Sequence, residues 1–163
     1  MVSKRLIREA GHRRKFLAVI DETPECERAV AYASRRAKTT GGALVLLFVI
    51  ETAEFQHFLG VEAVMRQEAT ATAQAALDAA AATVRSRHGI EPELAIREGT
   101  KAGEIHKLIE EDQDIAILVL AAGAAKEGPG PLVASIAGKG AAFPIPVTIV
   151  PYNLTDEDID SLA

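Results

Sequence analysis

The chain has 163 residues and a net charge of −5, with 48% apolar and 25% charged residues. These values are typical of one soluble globular domain and argue against a general nucleic-acid-binding surface. No apolar run reaches the roughly 18 residues of a membrane span, and the first residues lack the apolar stretch of a secretory signal. The single Cys26 rules out an intrachain disulfide framework and fits a reducing compartment, so we expect a cytoplasmic protein.

Charge is concentrated at both ends of the chain. Basic residues cluster in residues 1–14, and acidic residues cluster in residues 152–163. We interpret both ends as solvated extensions, a basic one and an acidic one, that flank a single domain over residues 15–151.

The first strand predicted along the chain is Lys15–Ile20. Thr23 as N-cap and Pro24 as first residue predict a helix that ends at Gly41, and Ala43–Ile50 follows as a second apolar strand. Cys26 lies near the start of this helix, and we interpret it as a packed residue whose acidic neighbours oppose thiolate formation.

A long Ala-rich helix is predicted from Val61 to His88. Its expected apolar stripe comprises Val64, Met65, Ala69, Ala73, Ala76, Leu77, Ala80 and Val84. The alternating Glu93–Arg97 predicts an edge strand, and a short helix begins at Thr100 or Lys101.

The remaining elements are two apolar strands and a helix between them. Ile115–Ala121 predicts the fourth strand, Leu132–Ala142 the last full helix, and Val147–Val150 the fifth strand. Thr155 and Asp158 have the spacing of a capping box for a terminal turn. Strands that alternate with helices predict an α/β protein with three layers and a five-stranded parallel sheet of flavodoxin-like size.

The loop after the fourth strand is rich in Gly and Pro, and such loops bind ligands at the carboxyl edge of open sheets. It is not a phosphate-binding P-loop, because Gly140 follows Lys139 where Ser or Thr is required. The sequence also lacks residues required for a Rossmann fingerprint, for a phosphate-transfer receiver and for a cysteine phosphatase loop. No His, Cys and carboxylate cluster has the spacing of zinc ligands, so no metal is predicted.

The order of several features resembles the universal stress protein family. The first strand ends in Asp21, Glu98-Gly99 precedes an acidic helix, and Pro144 and Pro146 precede the last strand. The resemblance covers about Arg14 to Pro151. It implies a sheet of order 3-2-1-4-5, a homodimer formed through the last strand, and a regulatory role in stress tolerance without an established reaction.

Nucleotide-binding members of the family carry G-x2-G-x9-G-[ST] after the fourth strand and an Asp after the first. Gly123 and Asp21 match this pattern, whereas Lys126 replaces the second Gly and Val133-Ala134 replaces the final pair. If ATP or AMP binds, the expected surrounding residues are Asp21, Val49, Gly99, Gly123, Lys126, Gly128, Gly130 and Ser135. Val49 would lie against the base, and the Ser135 hydroxyl would lie in the first turn of its helix.

Two other functions remain open at this point. With Pro129 and Pro131 stiffening it, the loop could be only a rigid turn, and the protein would act without a ligand through dimerisation and contacts with unknown protein partners. An ATP hydrolase has weaker support, because the sequence supplies no recognisable general base or metal pair. No role is predicted for the loop that contains Phe55, His57 and Phe58.

Overall fold

Strands and helices alternate throughout the computed structural model, which describes residues 3–51, 62–123, 130–138 and 143–163. The loop from Phe55 to Phe58 therefore lies outside the described residues. The strands are β1 (Lys15–Val19), β2 (Ala43–Ile50), β3 (Glu93–Glu98), β4 (Ile115–Ala122) and β5 (Val147–Pro151). The helices are α1 (Cys26–Thr40), α2 (Glu62–His88), α3 (Lys101–Glu111), α4 (Pro131–Gly138) and α5 (Asp156–Leu162).

The strands form one parallel sheet in the order β3-β2-β1-β4-β5, which confirms the predicted topology. β3 lies at one edge, as its alternating sequence predicts, and β5 lies at the other. The chain winds outward from β1 in one direction and then crosses to β4 on the other side. The carboxyl ends of β1 and β4 therefore border the point where the winding reverses, which is the usual ligand position in such sheets.

The core lies on both faces of the sheet, because the central strands are apolar at nearly every position. From β1, Leu17 and Val19 pack toward α3 and α4, whereas Phe16 and Ala18 pack toward α1 and α2. This alternation confirms the three layers and explains why continuous apolar runs correctly predicted the strands.

The start of α1 differs from the prediction. The helix begins at Cys26 after Glu25, and Thr23 is not its N-cap. Both the backbone N–H and the hydroxyl of Thr23 donate instead to Oδ1 of Asp21, the former at 2.9 Å. The predicted end is confirmed, because Gly41 closes the helix in the left-handed conformation with a φ of +68°.

The apolar stripe of α2 is confirmed at its centre and wrong at its first predicted residue. Ala73, Leu77 and Val84 are buried against the sheet and α1, whereas Val64 is 55% exposed. Met65 and Ala69 are half-buried and pack on the cluster around Ile50 and Ala73, so the stripe faces the sheet from Met65 onward. No helix in the described ranges is long and apolar enough to cross a membrane.

Both ends of the chain contact the domain through a few residues, while most of their charged side chains are exposed. Arg5 donates to three backbone oxygens around the end of α3, and the backbone of Leu6 donates to the Gln113 carbonyl at 3.0 Å. At the other end, Ile159 of α5 is 1% exposed. The predicted capping box at Thr155 and Asp158 is confirmed.

Candidate functional site

A small cavity of about 50 Å³ lies between the carboxyl ends of β1 and β4 and the start of α4. Its walls include polar groups from three separate segments: Asp21 and Glu25 after β1, Lys101 at the start of α3, and Gly130 before α4. The fold thus gathers charges from distant parts of the sequence at the point where the winding reverses.

Asp21 occupies this edge because β1 ends two residues earlier, at Val19, and its side chain is half-buried. Its Oδ1 accepts both hydrogen bonds from Thr23, and its backbone oxygen accepts a contact from the Cys26 thiol at 3.6 Å. These local bonds fix the carboxylate and leave Oδ2 as an acceptor for a ligand.

Cys26 is the first residue of α1 and lines the same cavity. Burial raises the pKa of its thiol, and the carboxylates of Asp21, Glu27 and Glu25 raise that pKa further. The thiol is therefore protonated at neutral pH. This agrees with the prediction of a packed residue and argues against a nucleophile.

Gly130 has a φ of +101° and leads directly into α4, where Ala134 donates to its carbonyl at 3.0 Å. Pro131 stands at the first helical position, where its missing N–H costs nothing. The first-turn amides of an α-helix have no partner within the helix and favour an anion, so the start of α4 can bind a phosphate.

Lys101 is the site residue that sequence reasoning missed. Its side chain lines the cavity, and its Nζ lies 3.8 Å from Oε1 of the half-exposed Glu51. A lysine directly after the Gly99-Thr100 turn was the available signal, but only the crossover connections of the sheet show that this turn lies near Asp21.

The other predicted residues are placed in different surroundings. Val49 is 4% exposed in the core on the α3 side, and Gly123 follows the last residue of β4. Ser135 is the fifth residue of α4, so the expectation of a first-turn hydroxyl is wrong. Its side chain is exposed and does not line the cavity. Lys126 and Gly128 lie outside the described residues.

Gly99 is explained by packing. Its N–H donates to the Ile50 carbonyl at 2.9 Å, which joins the end of β3 to the end of β2. A Cβ at this position would lie 2.6 Å from Oε2 of Glu104, a buried carboxylate that pairs with Lys107 at 3.1 Å. The glycine thus makes room for Glu104, and it does not line the cavity.

The fold and the order of these residues match a known family over most of the chain. A family model described as the universal stress protein family matches residues 12–151. The chain belongs to this family. No curated protein sequence matches this universal stress protein at a significant level. Within the described residues, no group of three or more His, Cys, Asp or Glu side chains could hold a metal ion.

Several solved structures have the same fold as this universal stress protein. UspA from Lactobacillus plantarum is similar with a TM-score of 0.71 and 16% identity, over 85% of this chain and 98% of that one. A family member from Burkholderia pseudomallei has a TM-score of 0.65 and 18% identity, with coverage of 84% and 95%. A universal stress protein from Archaeoglobus fulgidus in complex with dAMP has a TM-score of 0.55 and 16% identity, with coverage of 84% and 97%. A further family structure is described as a complex with cAMP.

Proposed function

We propose that this universal stress protein is a non-catalytic, cytoplasmic regulator of the stress response that binds an adenine nucleotide beside Asp21. The supporting observation is that an acidic acceptor, a cation and a helix start share one cavity where the winding reverses. Family members described in complex with dAMP and cAMP add support, because both ligands are adenine nucleotides with one phosphate.

Different residues around the cavity suit the nucleoside and the phosphate of a nucleotide. The free oxygen of Asp21 can accept a hydrogen bond from the nucleoside, while Lys101 and the first-turn amides of α4 can hold a phosphate. Val49, Gly123, Lys126, Gly128 and Gly130 are proposed to complete the site. Ser135 is proposed only at its outer rim, because its side chain is exposed.

Charge favours one phosphate over three. Within the described residues, the cavity is lined by two carboxylates, Asp21 and Glu25, and by one cation, Lys101. Each further phosphate adds negative charge next to these carboxylates, which disfavours binding. We therefore expect AMP to bind more tightly than ATP in the absence of a metal ion.

The test begins with any nucleotide released from freshly purified protein, followed by calorimetric titration with AMP, cAMP and ATP. We expect one AMP per chain and an affinity about tenfold weaker in Asp21→Asn and in Lys101→Ala, because each loses a charge-assisted hydrogen bond. Lys126→Ala tests the part of the loop outside the described residues, and we expect this variant to bind AMP more weakly as well.

Lys107→Ala is the matched control, because Lys107 lies on the same helix as Lys101 but outside the cavity. Its affinity should equal that of the parent. Absence of released nucleotide together with no heat at millimolar AMP, cAMP and ATP would reject the proposal.

A second candidate is a protein that needs no ligand and works through a homodimer and protein partners. The small volume of the cavity, about 50 Å³, favours this alternative, because small-molecule sites typically have about 300–1,000 Å³. The apolar edge of the sheet at β5 is the proposed dimer surface. Failure of nucleotide binding together with a stable dimer would support this second function.

A further inference from the structure

A second and larger cavity, of about 290 Å³, lies between α1 and α2. We call it the α1–α2 groove. Its lining includes small side chains from both helices: Ala31, Ala76, Ala79 and Ala80. Its volume is close to the lower end of the range for small-molecule sites, which is about 300 Å³.

His88 gives this groove a buried polar group. It is the last residue of α2, lines the groove and is only 8% exposed, yet its imidazole makes no hydrogen bond within the described part of the chain. Burial lowers the pKa of this imidazole. Arg87, Arg35 and Lys38 lower it further, against the opposing effect of Asp160 on α5. The ring is therefore neutral at pH 7 and offers one donor and one acceptor.

Apart from the exposed Glu27, the other polar side chains that line the groove already have partners. The Thr83 hydroxyl donates to the Ala79 carbonyl at 3.3 Å, and the Cys26 thiol donates to the Asp21 carbonyl. Arg28 and Arg87 both donate to Asp156 of α5, at 2.9 and 2.7 Å. Among the described residues, His88 is thus the buried polar residue of the lining, and its hydrogen-bonding capacity is unused.

Charges around the groove cancel. The described lining contains two cations, Arg28 and Arg87, which are balanced by Asp156 and by the exposed Glu27. A charged ligand would meet no unbalanced opposite charge there and would lose hydration on entering an apolar space. The groove therefore fits an uncharged molecule.

We propose that the α1–α2 groove binds a small, uncharged, largely apolar molecule that carries one hydroxyl or carbonyl group hydrogen-bonded to His88. The alanine walls accept the apolar body, and the imidazole selects the polar group. This site is separate from the proposed nucleotide site. Among the described residues, the linings of the two cavities have only Cys26 in common.

The test is an NMR titration of the full-length protein with two probes of similar size, 4-ethylphenol and ethylbenzene. We expect 4-ethylphenol to bind saturably, to shift the signals of His88 and Ala79, and to bind about fivefold more tightly than ethylbenzene because only the phenol hydrogen-bonds to the ring. In His88→Phe this preference should disappear.

Two further variants test the location without changing a buried residue. Ala79→Leu fills the groove from an exposed position and should abolish binding, whereas Ala82→Leu, exposed on the same helix and outside the groove, should bind as the parent does. Excess AMP should not displace the phenol. Unsaturable binding, equal affinity for the two probes, retained binding in Ala79→Leu or displacement by AMP would each overturn the proposal.

Discussion

At the scale of single residues, Gly99 shows how closely the end of β3 is packed. Its φ is +150°, and an added Cβ would lie 2.6 Å from Oε2 and 2.9 Å from Cγ of Glu104. Glu104 is 7% exposed, so its side chain has little room to move away. We expect Gly99→Ala to lower the free energy of unfolding by about 1–3 kcal/mol, through backbone strain and this contact.

Urea-induced unfolding of the parent and of two glycine variants measures this effect. Gly138→Ala is the control, because a Cβ there would meet nothing within 4 Å and the residue ends α4 without a positive φ. Its free energy of unfolding should stay within about 0.5 kcal/mol of the parent value. Equal stability of the two variants would show that Glu104 does not constrain Gly99.

The residues that sequence reasoning placed wrongly have physical explanations. Thr23 is a good N-cap type, but the carboxylate of Asp21 two residues earlier accepts its hydroxyl, so α1 begins later. Lys101 was missed as a site residue because nothing in its local sequence indicates that α3 begins near β1. The proximity of the start of α3 to the end of β1 follows only from the strand order of the sheet.

At the scale of elements, the strands were predictable and the packing of the chain ends was not. A strand buried on both faces needs apolar residues at every position, and the runs in β2 and β4 show this directly. The ends are rich in charged residues, which composition alone assigns to solvent. Their attachment depends on single side chains, such as Arg5 and Ile159, that reach the folded domain.

Arg5 joins the first segment of the chain to α3. Its Nη1 donates to the carbonyls of Ile109, Asp112 and Ile115 at 2.7, 3.1 and 3.1 Å, so one cation joins the last turn of α3, the residue after it and the start of β4. We expect Arg5→Ala to lower the free energy of unfolding by about 1.5–3 kcal/mol and to speed hydrogen exchange in the last turn of α3.

Hydrogen exchange followed by mass spectrometry measures the local part of this prediction. Arg8→Ala is the control, because Arg8 is exposed in the same segment and should leave α3 unchanged. If Arg5→Ala exchanged at the parent rate around Ile109, the segment would be attached by its apolar and backbone contacts, and the guanidinium would contribute little.

At the scale of the whole molecule, the β5 edge of the sheet exposes apolar side chains. Beside β5 lies an apolar cavity of about 250 Å³ lined by Phe143, Ile145, Val147 and Ile149, and Ile149 is 45% exposed. An edge strand with exposed apolar side chains and unpaired backbone groups is prone to pair with another chain. These features support the proposal that two copies of this universal stress protein associate through β5.

We expect Ile149→Glu to convert the proposed dimer to a monomer at micromolar concentration, because a carboxylate buried in an apolar interface loses its hydration without gaining a partner. Sedimentation velocity of the parent and of the variant gives the mass directly. The matched control is Leu94→Glu, which places the same charge at an exposed apolar position, 37% exposed, on the opposite edge strand β3. A monomeric parent would refute association altogether, and loss of the dimer only in Leu94→Glu would move the interface from β5 to β3.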